Sequence, residues 1–109
     1  MQTYSDNQVQ ERLSRDLPSW KLDHGTICRT YRTHGWRVTL MVVNTIGHLA
    51  EVSGHHPDLA VSYAAVQVRL STHDAHGITD KDFALAAKLD EVVLWHVDPP
   101  PGDYVKYGG

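Results

Sequence analysis

Between Val66 and Leu70 apolar and polar residues alternate without a slip, with Val66, Val68 and Leu70 on one side and Gln67 and Arg69 on the other. A strand repeats every two residues, so such a run belongs to a sheet with one buried and one wet face. That arrangement is characteristic of antiparallel sheets. The stretch Val61 to Thr72 reads as the strongest strand signal in the chain. Segments of helical period must then cover the apolar face.

Three segments have that period. Val9 and Leu13 lie at i, i+4 behind Ser5 or Asp6, either of which can cap a short helix that Pro18 ends. Trp36 to Val52 is the longest, with Trp36, Leu40, Val43, Gly47 and Ala50 in one stripe and Met41, Val42, Ile46 and Leu49 widening it. Gly54 stands where a left-handed helix end favours glycine, and Pro57 bars any continuation. Thr79 can cap the last helix, Asp80 to about Trp95, along which Leu85, Leu89, Val92 and Trp95 share a face. Before the long helix, Trp20-Lys21-Leu22 and Ile27 to Arg32 flank Asp23-His24-Gly25 and predict a hairpin. The expected fold is α+β, a four-stranded antiparallel sheet with helices packed on one face. Residues 1–97 form one expected domain, and residues 98–109, opening with Pro99 to Pro101, a Pro/Gly-rich tail. The apolar surface of the Trp36–Val52 segment exceeds what a small sheet can cover, so a homodimer or homotetramer is expected.

Bulk properties exclude several function classes. A net charge of −3 with no basic run argues against direct nucleic-acid binding. Cys28 is the single cysteine, which leaves no internal disulfide and no multi-thiolate metal site. No apolar run approaches the ~20 residues of a membrane span. The polar start, MQTYSDNQVQERL, lacks a signal-peptide pattern, and a cytoplasmic location is expected.

The chain carries eight histidines, and the informative ones fall between Glu51 and Asp82. Histidine gives and takes protons near neutral pH. His55-His56-Pro57 places two imidazoles at a rigid corner, although histidines at a helix end also cap carbonyls. His73 follows a strand, where a surface histidine is commonplace. Thr79-x-x-Asp82 has the form of a capping box with aspartate in place of glutamate. Glu51 reads as a solvated helix residue, and Tyr63 as one packed against the sheet. There is no His-Glu-x-x-His motif for zinc and no Gly-x-Ser-x-Gly elbow for a serine nucleophile. No metal is expected.

Jointly, Glu51-x-x-x-His55-His56-Pro57, Tyr63, Ser71-Thr72-His73, Gly77-Ile78-Thr79 and Asp82 closely resemble the signature of pterin-4a-carbinolamine dehydratases, over roughly Leu17 to Trp95. The resemblance implies a small α+β domain assembled as a dimer or tetramer. It implies dehydration of a 4a-hydroxytetrahydropterin to a quinonoid dihydropterin, without metal or redox cofactor. It carries catalytic roles onto His55, His56, His73 and Asp82, with proton transfer by His55 and His73, pterin holding by His56 and imidazole orientation by Asp82. Glu51, Ser71, Thr72 and Asp74 become substrate-binding candidates. Leu59 departs from the pattern, standing where family members often carry an aromatic residue. The family also implies an alternative, a protein-binding factor such as a RuBisCO assembly factor or a transcription coactivator, whose contacts could use the Trp36–Val43 run and the last helix.

Overall fold

The computed structural model describes residues 2–97, with side chains to Leu94. The expected tail 98–109 and the packing of Trp95 lie outside the described residues. Helix α1 (Asp6–Asp16) opens the fold, followed by strands β1 (Lys21–Asp23) and β2 (Thr26–Arg32) and helix α2 (Trp36–Ser53). Strands β3 (Asp58–Ser62) and β4 (Ala65–Leu70), a single 3₁₀ turn (His73–Ala75) and helix α3 (Asp80–Val97) complete it. The four strands form one antiparallel sheet in the order β1-β2-β4-β3.

Local sequence accounts for most of these boundaries. Ser5 caps α1 in a full capping box, its hydroxyl accepting from the Gln8 N–H while the Gln8 side chain accepts from the Ser5 N–H. The β1–β2 hairpin turns through His24 and Gly25, both at positive φ, as a two-residue turn matched to strand twist requires. Gly54 ends α2 in the left-handed conformation (φ 66°), and the His55 N–H reaches back to the Ala50 carbonyl at 3.1 Å.

Val66, Val68 and Leu70 are fully buried beside Ile27 and Tyr31, and all three helices contribute to the same core. Gln67 and Arg69 face the open side, where Arg69 bonds Asp23 at 2.8 Å and Thr26 at 3.0 Å. The alternation thus has its expected sense.

Two expectations need correction. The stretch from Val61 to Thr72 is not one strand, because Tyr63 and Ala64 form a two-residue turn between β3 and β4. Neither residue is a turn former. The turn is held from outside, by the Thr39 hydroxyl on the Tyr63 carbonyl (2.8 Å) and the Thr33 N–H on the Ala64 carbonyl (2.9 Å). Tyr63 does not pack against the sheet and is 68% exposed. On α2, the face that enters the core is Val38, Thr39, Val42, Ile46 and Ala50, whereas Trp36, Leu40 and Met41 are exposed. Trp36 and Leu40 therefore do not belong to the buried stripe; of the five residues expected to line up, only Ala50 is fully buried. The sheet beneath needs one helix face, and several windings of this apolar helix would have satisfied the periodicity.

At the other side of the core, Asp90 of α3 gathers three donors. Its carboxylate accepts from Trp20 Nε1 (3.1 Å), Tyr31 Oη (2.6 Å) and Arg29 Nη1 (2.9 Å), and so fastens α3 to the first hairpin. Burial, with Asp90 alongside, holds the Tyr31 hydroxyl well above the usual tyrosine range. Asp90→Ala removes the acceptor that these three donors share. The expected loss is about 2–4 kcal/mol of unfolding free energy, measured by urea denaturation, and a change under 1 kcal/mol would show the cluster to be dispensable.

Candidate active site

Three chain segments meet at one end of the sheet: the corner after α2, the end of β4 with its 3₁₀ turn, and the start of α3. Their meeting point is the carboxylate of Asp82, which is 0% exposed. Oδ1 lies 2.5 Å from His55 Nε2. Oδ2 accepts from the Thr72 hydroxyl and from the Thr79 N–H, both at 2.9 Å. Because the single Thr72 proton goes to Asp82, the Thr79 hydroxyl donates to Thr72 across 2.7 Å. Thr79 Oγ1 in turn accepts from the Lys81 N–H at 3.3 Å, closing a variant of the capping box. One oxygen of Asp82 thus caps α3 while the other holds an imidazole.

A carboxylate can only accept, so Nε2 of His55 carries the proton in that bond. In the neutral ring Nδ1 is then the atom with a free lone pair. His55 is itself buried, at 9% exposure. The glycine-ended helix explains how: its N–H stays with the helix while its ring turns inward to Asp82. The capping role and the polar site role fall to the backbone and the side chain of one residue.

His56 takes the opposite course. Pro57 follows it, and its ring stays exposed, with Nε2 2.8 Å from Glu51 Oε1 in the last turns of α2. An exposed pair of this kind contributes little to stability but limits where the ring can go. His73 sits in the 3₁₀ turn, which the Thr72–Gly77 bridge pinches off: the Thr72 N–H bonds the Gly77 carbonyl at 2.9 Å. His76 adopts positive φ (57°) to close that loop, which leaves His73 and Asp74 exposed at its tip.

These pieces enclose a cleft of about 220 Å³ lined by Gly54, His55, His56, Ser71, Thr72, His73, Asp74 and Lys81. Six of the eight residues singled out from the sequence line it. Asp82 stands behind His55 rather than in the cleft, and Glu51 is not on its wall but braces His56. Thr72, with its hydroxyl committed to Asp82, is a structural part of the wall. Lys81 was not legible as a site residue. Its only sequence signal is its place immediately before Asp82, in the first turn of a helix whose neighbours there, Asp80 and Asp82, are acidic. Among the described residues no three His, Cys, Asp or Glu side chains converge in the way a metal ion requires.

The family model for pterin 4 alpha carbinolamine dehydratase matches residues 2–92. The chain belongs to this family. A Chloroflexus aurantiacus relative, named as a candidate pterin-4-alpha-carbinolamine dehydratase, is 41% identical over 93 residues, covering 85% of this chain and 99% of its own. A similarly named Aquifex aeolicus protein is 43% identical over 89 residues, covering 82% and 89%. Among solved structures, a transcriptional coactivator/pterin dehydratase from Brucella melitensis superposes with a TM-score of 0.77 at 26% identity, over 84% of this chain and 99% of that one. A pterin dehydratase-like protein described as a RuBisCO assembly factor in the alpha-carboxysome shares the fold, with a TM-score of 0.59 at 18% identity over 69% and 89%. The same fold is therefore carried by proteins described by quite different roles.

The Asp82 network gives a direct test of the site's construction. Asp82→Ala removes the acceptor of three buried donors, and a loss of about 3 kcal/mol or more is expected in denaturant unfolding. Nitrogen NMR of His55 in the wild type should show the proton on Nε2. A neutral ring protonated at Nδ1 would contradict the hydrogen bond to Asp82.

Proposed function

We propose that the protein dehydrates a 4a-hydroxytetrahydropterin to the quinonoid dihydropterin, in the manner of its family. The observation that carries this reading is the gathering of His55, His56 and His73 on one small polar cleft, with His55 seated on a buried carboxylate. In the reaction the C4a–O bond breaks, the hydroxyl takes up a proton and leaves as water, and a ring N–H proton is given up. One proton is supplied and one is collected, so no oxidant, reductant or metal enters the balance.

We assign the two transfers to His55 and His73. An imidazole backed by a carboxylate is the better proton acceptor, because Asp82 stabilises the imidazolium that forms. His55 is accordingly the base. His73, at the tip of its loop and open to solvent, is suited to protonate the departing hydroxyl and to be reprotonated by water. His56, braced by Glu51, holds the pterin together with Ser71 and Asp74. Asp82 acts through His55 as a positioning residue. A cytoplasmic setting suits a chain whose one cysteine, Cys28, is a free thiol, and among the described residues no helix is long and apolar enough to cross a membrane.

His73→Ala should lower the rate of dehydration of 4a-hydroxytetrahydropterin by about 10²-fold or more while leaving the circular dichroism spectrum and unfolding midpoint unchanged. Wild-type turnover in that variant would remove His73 from the mechanism.

The second reading is a protein-binding factor. It is favoured by the solvent-facing side of α2, where Trp36, Leu40 and Met41 are 48%, 41% and 44% exposed. Absence of dehydration by the folded wild type would move the function to that class. Under the enzyme reading the same face is the contact between copies of the chain in a homodimer or homotetramer. Leu40→Glu is expected to reduce the oligomer to a smaller species in sedimentation velocity, and an unchanged sedimentation coefficient would direct the search for the contact elsewhere.

A further inference from the structure

Beside the polar cleft runs a second cavity, an open groove of about 560 Å³ between the end of α2 and the outer face of α3. Its apolar walls include Val52, Leu85 and Val92, and Lys81 and Lys88 stand along it. His55 and Lys81 belong to both cavities, so the groove begins where the cleft ends. We propose that this groove takes the C6 substituent of the bound pterin and selects one with an apolar body and an anionic end. The inference rests on the pterin-site reading of the cleft.

The chemistry of the two cavities divides as such a ligand divides. The pterin bicycle is flat and edged with nitrogen and oxygen, and the cleft offers imidazoles, hydroxyls and a carboxylate. The groove is more than twice as large and offers almost only hydrocarbon between its two ammonium groups. Lys81 and Lys88 are seven residues apart, which puts them about 10 Å apart along one helix. Among the described residues no aspartate or glutamate lines the groove. Lys88 does have an acidic neighbour on its own helix, Glu91 at 3.3 Å, but both partners are exposed. A pair of that kind is weak and leaves the ammonium available to a ligand. Val52, at 73% exposure, gains the most from a cover. A pterin with only a methyl group at C6 would leave all of this surface wet.

Two stable dihydropterins separate the parts. 6-Methyl-7,8-dihydropterin has the ring alone, whereas 7,8-dihydrofolate adds an aromatic linker and carboxylates at C6. Isothermal titration calorimetry on the full-length protein is expected to show dihydrofolate binding at least about tenfold tighter. Lys88→Glu and Val52→Asp lie on the groove and not on the cleft. Each is expected to bring dihydrofolate close to the affinity of the methyl compound while leaving the methyl compound unchanged. Equal affinities in the wild type, or an advantage that survives both variants, overturn the groove assignment and leave the cleft reading intact. Equal affinities with an oligomer that Val52→Asp dissociates would assign the groove to a second copy of the chain and likewise overturn it. If neither compound binds, the cleft reading fails and the groove assignment falls with it.

Discussion

Asp82 is the residue on which the polar end of this protein depends. An ionised carboxylate with no solvent contact is stable only when its oxygens are fully engaged, since removing a charge from water costs several kcal/mol. Here both oxygens are engaged, by His55, by the Thr72 hydroxyl and by the Thr79 N–H. The donors come from three places in the chain: the corner after α2, the end of β4 and the cap of α3. The requirement to satisfy one buried charge therefore fixes the relative placement of all three, and with it the cleft between them. Asp90 does comparable work at the other side of the core, tying α3 to the β1–β2 hairpin through Trp20, Arg29 and Tyr31. Together the two aspartates anchor α3 near its start and in its second half. α3 is also the helix that carries Lys81 and Lys88.

The cleft combines a fixed wall with a more accessible one. His55 is buried and seated on a carboxylate, so its tautomer and direction are set before any ligand arrives. His56 and His73 are exposed, one braced by Glu51 and the other carried on a loop closed by the Thr72–Gly77 bridge. Such a division suits chemistry in which one proton must be taken at a defined point while another is exchanged with solvent. It also explains why the site needs so little chain. The buried network supplies precision, and a short loop and a helix end supply access.

Much of the fold was legible because local rules were obeyed without conflict. The alternation in β4, the Ser5 and Thr79 caps, the His24-Gly25 turn and the glycine end of α2 each have a local cause, and each appears where that cause puts it. The Tyr63-Ala64 turn was not legible, because it is imposed by Thr33 and Thr39, some 30 and 25 residues earlier in the chain. The winding of α2 was not legible either. Its apolar residues extend around most of its circumference, so periodicity alone could not say that Val38, Val42 and Ile46 turn inward while Trp36 and Leu40 turn out. At the site, joint spacing marked the histidines and Asp82, but their neighbour Lys81 has no pattern of its own and emerges only from the shape of the cleft.

The sequence by itself determined the family, the helix segments and most of the strands, the one-sided sheet and the residues around which the site is built. Each of these follows from periodicity, from backbone rules for glycine and proline, or from a motif of fixed spacing. Tertiary structure alone decided how the polar residues divide their work. Asp82 could be read as a cap or as an imidazole partner, and it is both, because its two oxygens face different elements. Glu51, a substrate-binding candidate, stands off the cleft wall with its carboxylate on His56. Which oxygen meets which donor depends on where three distant segments come to rest, and no local stretch of sequence contains that information.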